Sequence, residues 1–510
     1  MRALSDAPIR SVSARGALAL VALATLLVAR SASAEVAEPS GRSEQAFDFM
    51  NLLAHHGLHD LADEDWNAYG QVTDIWTWKS GFHAAYTNCA PTSVTGCSGT
   101  GNSLSSTPEM SFTETATLFA GMRLWPGAEA YFVPEVIAEK ELSHLHGLGG
   151  AIQDFELQKQ GPVTTTPYLS RAYITQTIEL GGHRIDKESN PMQLARVDRS
   201  RRLVFTVGNF SVLDFFDQNN VSGDLRRSFL NMAFLTYAAY DFAADARGYA
   251  WGGLAELDYD DWTLRAARMT PPKVPNGLPL DFRIGHVYGD QVEVEHAHHL
   301  FGGDGAVRVL GYRNVEYMGK FSDAIAAFEA DPAKNAANCG NPPNDLFNYG
   351  SSNAQAPDLC WVRGNTNTKL GIGFSVEQQL FGDVGVFFRG MYSDGKTEVY
   401  SFTSTDRSIS FGAVARGDPW HRVGDTVGVG WSQGWISQSH AQYLAMGGED
   451  GFIGDGRLNQ ASEGVFEVFY SLSLGSSAWT SLDYQFIRNP AYNADRGPVN
   501  IIGARIHVEF

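Results

Sequence analysis

Residues 499–510 read VNIIGARIHVEF and close the chain on an aromatic carboxy terminus. Ile502, Ala504, Ile506, Val508 and Phe510 fall on one face of an extended strand, and Arg505, His507 and Glu509 fall on the other. A strand of a soluble sandwich could alternate in the same way. Ending on such a strand with a terminal Phe is instead the habit of outer-membrane β-barrels, whose last strand closes the ring with its apolar face toward lipid and its charged face toward water.

The other end of the chain agrees. Arg2, Arg10 and Arg15 precede the apolar run GALALVALATLLVA (16–29), and Ala32-Ser33-Ala34 follows it. That order predicts a secretory signal peptide, residues 1–34, cut after Ala34. A retained anchor is the weaker reading, because Arg30 ends the run well short of the about 20 apolar residues a helical span needs. Beyond residue 35 the best apolar candidate, 232–244, is interrupted by Asp241, so a membrane crossing has to use strands.

Composition narrows the class. The 53 Gly, 11 Trp, 19 Tyr and 30 Phe suit turns and aromatic girdles. A formal charge of −19, which loss of Arg2, Arg10, Arg15, Arg30 and Asp6 makes more acidic, argues against nucleic acid as a partner. The four cysteines, Cys89, Cys97, Cys339 and Cys360, allow three pairings in an exported chain. The local pairs Cys89 with Cys97 and Cys339 with Cys360 are expected, each closing a loop rich in Gly, Pro, Asn and Ser. A metal site would need tighter spacing.

Residues 43–58 carry Phe47, Met50, Leu53 and Ala54 at helical spacing, which predicts a short amphipathic helix within an N-terminal periplasmic or plug segment, 35–68. From Tyr69 the period becomes two, and 69–510 is expected to be the barrel. The clearest alternation covers 115–124, 128–136, 168–180, 203–210, 248–259, 262–269, 370–380, 384–392, 426–435, 464–474 and 480–487. Fainter strands are expected at 71–86, 232–242, 283–296, 306–318 and 407–416, so that with 499–510 the total is about sixteen or slightly more, enough for an aqueous channel. The fold class predicted is therefore all-β, a transmembrane antiparallel barrel. Turns such as Trp125-Pro126-Gly127, Asp260-Asp261 and Gly382-Asp383 alternate with long connections at 89–107, 211–231, 321–367 and 437–462.

Several phrases, GMRLWPGAEAYFVPEV (121–136), PYLSRAYITQTIELGG (167–182), GNFSVLDFFDQNN (208–220), FAADARGYAWG (242–252), PNGLPLDFR (275–283), YGDQVEVEH (288–296) and VRVLGYRN (307–314), together resemble the carbohydrate-selective outer-membrane porins of the OprB type. The resemblance runs from about Tyr69 to Phe510 and implies a sixteen-stranded barrel that passes sugars.

Parity alone proposes the channel wall. If Leu118, Ala120, Met122 and Leu124 face lipid, Arg123 faces the lumen, and so by the same rule do Glu129, Glu135, Arg171, Glu179, Glu256, Arg265, Glu377, Arg389, Glu467, Asp483, Arg505 and Glu509. A lipid-facing Arg or Lys at mid-bilayer would cost about 2 to 4 kcal/mol. Most such charges are ordinary wall residues paired across strands. The segment DFFDQNNVSGDLRR (214–227) is the candidate for a loop that folds inward; its plain alternative is a solvated outer loop. Asp214, Asp217, Asn219, Arg226 and Arg227, with Arg123, Glu129, Arg171, Arg389 and Glu467 of the wall, form the candidate sugar-binding constriction. Planar Arg forks and amides suit sugar hydroxyls, and Phe215 and Phe216 suit the apolar faces of a pyranose.

Enzyme signals are thin. Gly430-Trp431-Ser432-Gln433-Gly434 matches G-x-S-x-G, but strand parity runs through it where a nucleophile elbow needs a turn and a helix. His296, His298 and His299 lack an acidic or Cys partner fixed nearby, and scattered carboxylates do not single out a glycosidase pair. The reading is a non-enzymatic outer-membrane porin for passive diffusion of small carbohydrates, with no cofactor. Outer-membrane lipid surrounds it, and a homotrimer, a packing many porins adopt, is left open. The rivals are a general porin, a polysaccharide exporter, which would want a dense Arg/Lys ladder, and a secreted all-β glycosidase or lectin, which would want polar outer faces.

Overall fold

The computed structural model describes residues 49–87, 102–159, 161–332 and 356–510. Sixteen antiparallel strands close into one barrel in which each strand pairs with its neighbours in sequence and the first meets the last. They are β1 (Trp66–Lys79), β2 (Glu109–Trp125), β3 (Ala128–Lys140), β4 (Thr166–Lys187), β5 (Arg196–Phe210), β6 (Ala250–Tyr259), β7 (Trp262–Met269), β8 (Tyr288–Leu300), β9 (Gly303–Glu316), β10 (Asn367–Leu380), β11 (Val384–Ser393), β12 (Arg407–Arg416), β13 (Thr426–Trp435), β14 (Glu463–Ser473), β15 (Ala478–Arg488) and β16 (Val499–Glu509).

The chain terminus seals the ring as the alternation predicts. Phe510 accepts a hydrogen bond from the Gly70 amide at 2.7 Å and returns one to its carbonyl at 2.9 Å. The Phe510 ring lies over Gly70 so closely that a Cβ there would stand 2.3 Å from Cε2. Glycine at 70 therefore makes room for the aromatic terminus.

Short turns at 126–127, 260–261, 301–302 and 381–383 gather on the rim that also holds both ends of the barrel. Long connections, among them 141–165, 211–249, 270–287 and 436–462, gather on the other. On the outer wall Leu118, Met122, Phe132, Ile174, Val207, Ile372 and Leu482 are exposed, whereas the alternate positions are mostly buried or half-buried toward the lumen. Trp66 and Trp78, at the two ends of β1, stand on the outer face as members of aromatic girdles. Charged side chains also stand on the outer face, Arg268, Asp290 and Arg313 near the long-loop rim among them. Asp74 and Glu114 are directly opposed in the β1/β2 register and share the outer face.

The expected helix appears as α1 (Phe49–His55). Met50 is buried against the lumen-facing Tyr69, Phe119 and Val133, so α1 packs just inside the barrel. One expected strand is wrong. Residues 232–242 form a short helix, α2 (Met232–Leu235), followed by irregular chain, all of it buried within the barrel. An aqueous lumen would solvate such a segment, but here aromatic side chains surround it. Phe234 stacks on Phe229 with ring centroids 4.8 Å apart, Phe229 packs on Phe387 and Phe469, and Phe242 stacks on Phe402 at 4.3 Å. Burial of each such ring is worth about 1.5 to 3 kcal/mol, so one side of the barrel interior is a packed core. Two further helices, α3 (Phe321–Ala330) and α4 (Gln438–Ala445), belong to the long loops.

Candidate functional site

The connection from β5 to β6, residues 211–249, folds into the barrel and descends nearly its full depth. Its entry is locally encoded: the Ser211 and Asp214 side chains form a capping box around the single turn Val212–Asp214. Arg171 of β4 then grips the Asp214 carboxylate with two parallel bonds of 2.7 and 2.6 Å. Three residues on, Asp217 takes a left-handed backbone, φ 54°, and points its carboxylate at the wall. Arg389 of β11 meets it at 2.8 Å, and both side chains are essentially inaccessible, 1% and 0%. The same guanidinium donates to Ser222 Oγ and the carbonyls of Phe234 and Leu235. Thr236 and the Tyr237 amide donate to the second Asp217 oxygen.

The wall supplies further fastenings. Glu293 accepts the Asp217 amide, Glu377 accepts the backbone and side-chain amides of Asn220, and Glu467 accepts the Leu230 and Asn231 amides at 2.6 and 3.1 Å. Arg505 donates to the carbonyls of Leu225 and Ser228. Asn219 is buried and turns its own loop by accepting from the Val221 and Ser222 amides. At the lowest point Arg227 reaches Glu509 at 2.9 Å and lies over the Trp479 ring at 4.3 Å, close to the short-turn rim.

The candidate residues thus separate into three groups. Asp217, Asn219, Arg389 and Glu467 sit behind the loop, buried, where they hold it and are shielded from solutes. Arg171, Asp214 and Arg226 are half-buried on its other side, with the more open Arg227, with Phe215 and with the exposed Gln218, while the exposed Asn220 bonds Glu377. Arg123 and Glu129 belong to the short-turn mouth instead. Arg123 pairs with Asp63 of the N-terminal segment at 2.7 Å, and Glu129 bonds Arg196 and the Tyr131 hydroxyl. Phe216, expected beside Phe215 as a sugar platform, is fully buried.

Sequence reading missed a charged and aromatic cluster beside Arg226. Lys159, from the 141–165 loop, stands between Glu135 at 2.6 Å and Glu156 at 3.1 Å, and Glu156 also pairs with Arg226 at 2.9 Å. Tyr168 donates to Glu135 and lies beneath the Arg247 guanidinium at 4.6 Å, while Arg171 lies 5.2 Å over Tyr249. Burial pushes the Glu156 carboxyl up, yet Arg226 and Lys159 outweigh it and hold it below its ordinary value. Burial likewise works against the Lys159 ammonium, and Glu135 and Glu156 raise its pKa regardless. Close by, burial and then Glu156 push Asp154 up to about 7. A register shift between Val133 and Pro134 resets the parity of β4 and brings Tyr168 inward; Pro134 was the available signal. Lys159 had none, being a loop residue whose partners are Glu135 on β3 and Glu156 of its own loop, itself drawn to Arg226 of the inward loop.

Elsewhere the wall charges are paired across strands. Arg265 bonds Glu256, Glu293 and Glu295, and Arg308 bonds Glu295 and Glu377. The G-x-S-x-G stretch lies entirely within β13, with Ser432 donating to the Ile409 carbonyl and no helix following it directly. His296 stacks on Trp262, His298 meets Gln378 and His299 meets Asp304, so the three imidazoles have separate partners.

The sequence of this closed sixteen-strand barrel matches the profile of the carbohydrate-selective porin, OprB family, over residues 102–510. The chain belongs to the OprB family. It is thus a carbohydrate-selective outer-membrane porin. Its fold is similar to that in the high pH structure of Pseudomonas putida OprB, with a TM-score of 0.59 at 14% identity over 88% of this chain and 94% of that one. The low pH structure of the same protein gives 0.45 at 10% identity, covering 92% and 100%, and Pseudomonas aeruginosa OccK2 gives 0.41 at 8%, covering 88% and 98%. No curated protein matches the chain. In this family setting the short-turn rim is periplasmic and the long-loop rim extracellular.

Proposed function

We propose that sugars pass between the accessible side of the 211–249 loop and the wall of β1 to β5, in contact with Arg171, Asp214, Phe215, Arg226 and Arg227 and with the neighbouring Lys159 and Tyr168. The observation that supports this reading is the one-sided loop: its buried face is fastened by Arg389, Glu293, Glu377 and Glu467, which leaves guanidinium, carboxylate, amide and aromatic groups together on the other face. Guanidinium and carboxylate groups exchange hydrogen bonds with hydroxyls, and Phe215 or Tyr168 can lie against a pyranose face. Several weak contacts in sequence favour entry and still permit release, and diffusion needs no energy source or cofactor.

The remaining features are part of the same proposal. The signal peptide is cut after Ala34, the chain ahead of β1 forms the N-terminal periplasmic or plug segment expected over 35–68, and the barrel acts without catalysis, in a homotrimer or alone. Cys360 is disulfide-bonded; Cys89, Cys97 and Cys339 lie outside the described residues. Pairing of Cys339 with Cys360 and Cys89 with Cys97 is proposed, and a cross-linked peptide joining the 89 and 339 regions would reject it. Sugar block of ion current through the purified barrel tests the path itself. Block should weaken on Arg226→Ala/Arg227→Ala substitution and persist on His298→Ala/His299→Ala substitution; equal block in both variants would place the path elsewhere.

A further inference from the structure

The β4/β5 hairpin projects past its neighbours on the periplasmic rim. β3 ends its pairing with β4 at Ala128 opposite Gln176, and β6 ends its pairing with β5 at Tyr259 opposite Arg201, yet β4 and β5 continue to Lys187 opposite Arg196. The inner face of this extension is turned over the mouth. Asp198 there bonds Arg196 and Arg202, and at the tip the Leu194 and Ala195 amides donate to the Tyr131 hydroxyl and to Glu64.

The outer face is different. Arg184 and Arg199 are directly opposed in register and therefore share that face. Arg201, two residues along, lies 4.4 Å over the Tyr259 ring and is paired with Asp260 at 2.7 Å. Among the described residues neither Arg184 nor Arg199 has an ion-pair partner within 4.0 Å; Asp186, on the same face, pairs with neither. Like charges directly opposite one another weaken a strand pair. Toward the bilayer the same face turns apolar at Leu180 and Ile178, and Tyr259 and Trp262 mark the periplasmic girdle. Two strand residues beyond Arg201, the arginine pair lies roughly 7 Å or less below that girdle, at the depth of lipid phosphates.

We propose that Arg184 and Arg199 bind the phosphate of an anionic phospholipid in the periplasmic leaflet. Two guanidinium forks can each offer a phosphate paired N–H donors, and the anion removes the repulsion between them. The acyl chains then continue along Leu180 and Ile178. With Arg201 neutralised by Asp260 and a single Asp186 against two arginines, the face keeps a net positive charge, which favours an anionic headgroup over a zwitterionic one.

The test uses the full barrel in mild detergent, titrated with phosphatidylglycerol or with phosphatidylcholine and read by native mass spectrometry. The protein should bind its first phosphatidylglycerol more tightly than phosphatidylcholine, and Arg184→Ala/Arg199→Ala should weaken that binding by roughly tenfold or more. Arg184→Lys/Arg199→Lys, which keeps the charge, should retain part of the preference even if the alanine variant does not fold. Arg268→Ala/Arg313→Ala, which removes outer-rim arginines already paired with Asp290, should leave binding unchanged. Equal affinity for the two lipids, or phosphatidylglycerol binding undiminished in the alanine variant, overturns the proposal. So does displacement of the lipid by millimolar inorganic phosphate, which would assign the pair to a soluble anion.

Discussion

Replacing Arg389 by Ala should release the inward loop while leaving the barrel closed. Arg389 and Asp217 are the most completely buried pair between wall and loop, and their removal from water is compensated by one another, by the Ser222, Phe234 and Leu235 oxygens on the guanidinium, and by the Thr236 hydroxyl and Tyr237 amide on the carboxylate. Deleting one member of such a pair costs about 3 to 5 kcal/mol, because the other is left charged without its partner. At about 1.4 kcal/mol per tenfold, that shifts loop opening by roughly two to four powers of ten. The cost falls on the loop, since the β11 backbone ladder to β10 and β12 is untouched. Amides from 217 to 237 should therefore exchange hydrogen much faster in the variant, single-channel conductance should rise, and heat-modifiable migration on gels should persist. Arg389→Lys should fall between, because an ammonium cannot reproduce the guanidinium's set of bonds to Asp217, Ser222 and the two carbonyls. Wild-type exchange and wild-type conductance in Arg389→Ala would refute the reasoning and assign the fastening to Arg171, Glu293, Glu377 and Glu467.

Three other expectations follow from particular contacts. Arg226→Ala/Arg227→Ala removes the accessible guanidinium pairs to Glu156 and Glu509, so channel recordings should show higher conductance and weaker sugar block, with an apparent affinity loss of roughly tenfold or less. His440 lies 3.1 Å from both Asp406 and Asp450 in the extracellular loops, and although burial pushes it down, the two carboxylates raise its pKa to about 9. A raised histidine stabilises fully below its ordinary value of 6.5 and loses that contribution as pH rises through about 9, so protease resistance of the 436–462 loop should fall across that window and the fall should vanish in His440→Asn. Deleting Phe510 removes both hydrogen bonds to Gly70 and the ring over it, and barrel assembly measured by heat-modifiable migration should drop far more than on deleting residues ahead of α1.

The barrel was legible because strand alternation is a local property. Residues 499–510 and the Trp125-Pro126-Gly127 turn state their conformation without reference to distant chain. Where distant chain decides, reading along the sequence fails. Residues 232–242 carry apolar side chains on both faces, which the lumen accommodates only because Phe402, Tyr312 and Phe387 surround them, and Asp241 is satisfied by Lys369 and three amides of the 400–402 segment. Parity put Arg389 and Glu467 inside correctly, but only the folded loop shows that they are covered by it. Lys159 and Tyr249 join the cluster beside Arg226 through contacts with strand residues far away in sequence, Glu135 and Arg171. Asp74 and Glu114 mark the limit of the parity argument itself, since alternation in β1 and β2 places both carboxylates outward.

Solute flux into liposomes carrying the purified barrel tests the central claim most directly. For a carbohydrate-selective porin, neutral hexoses should enter faster than amino acids or polyols of matching size. The preference should diminish when Arg226 and Arg227 are replaced by Ala. Rates ordered by solute size alone, with sugars given no advantage, would contradict the account.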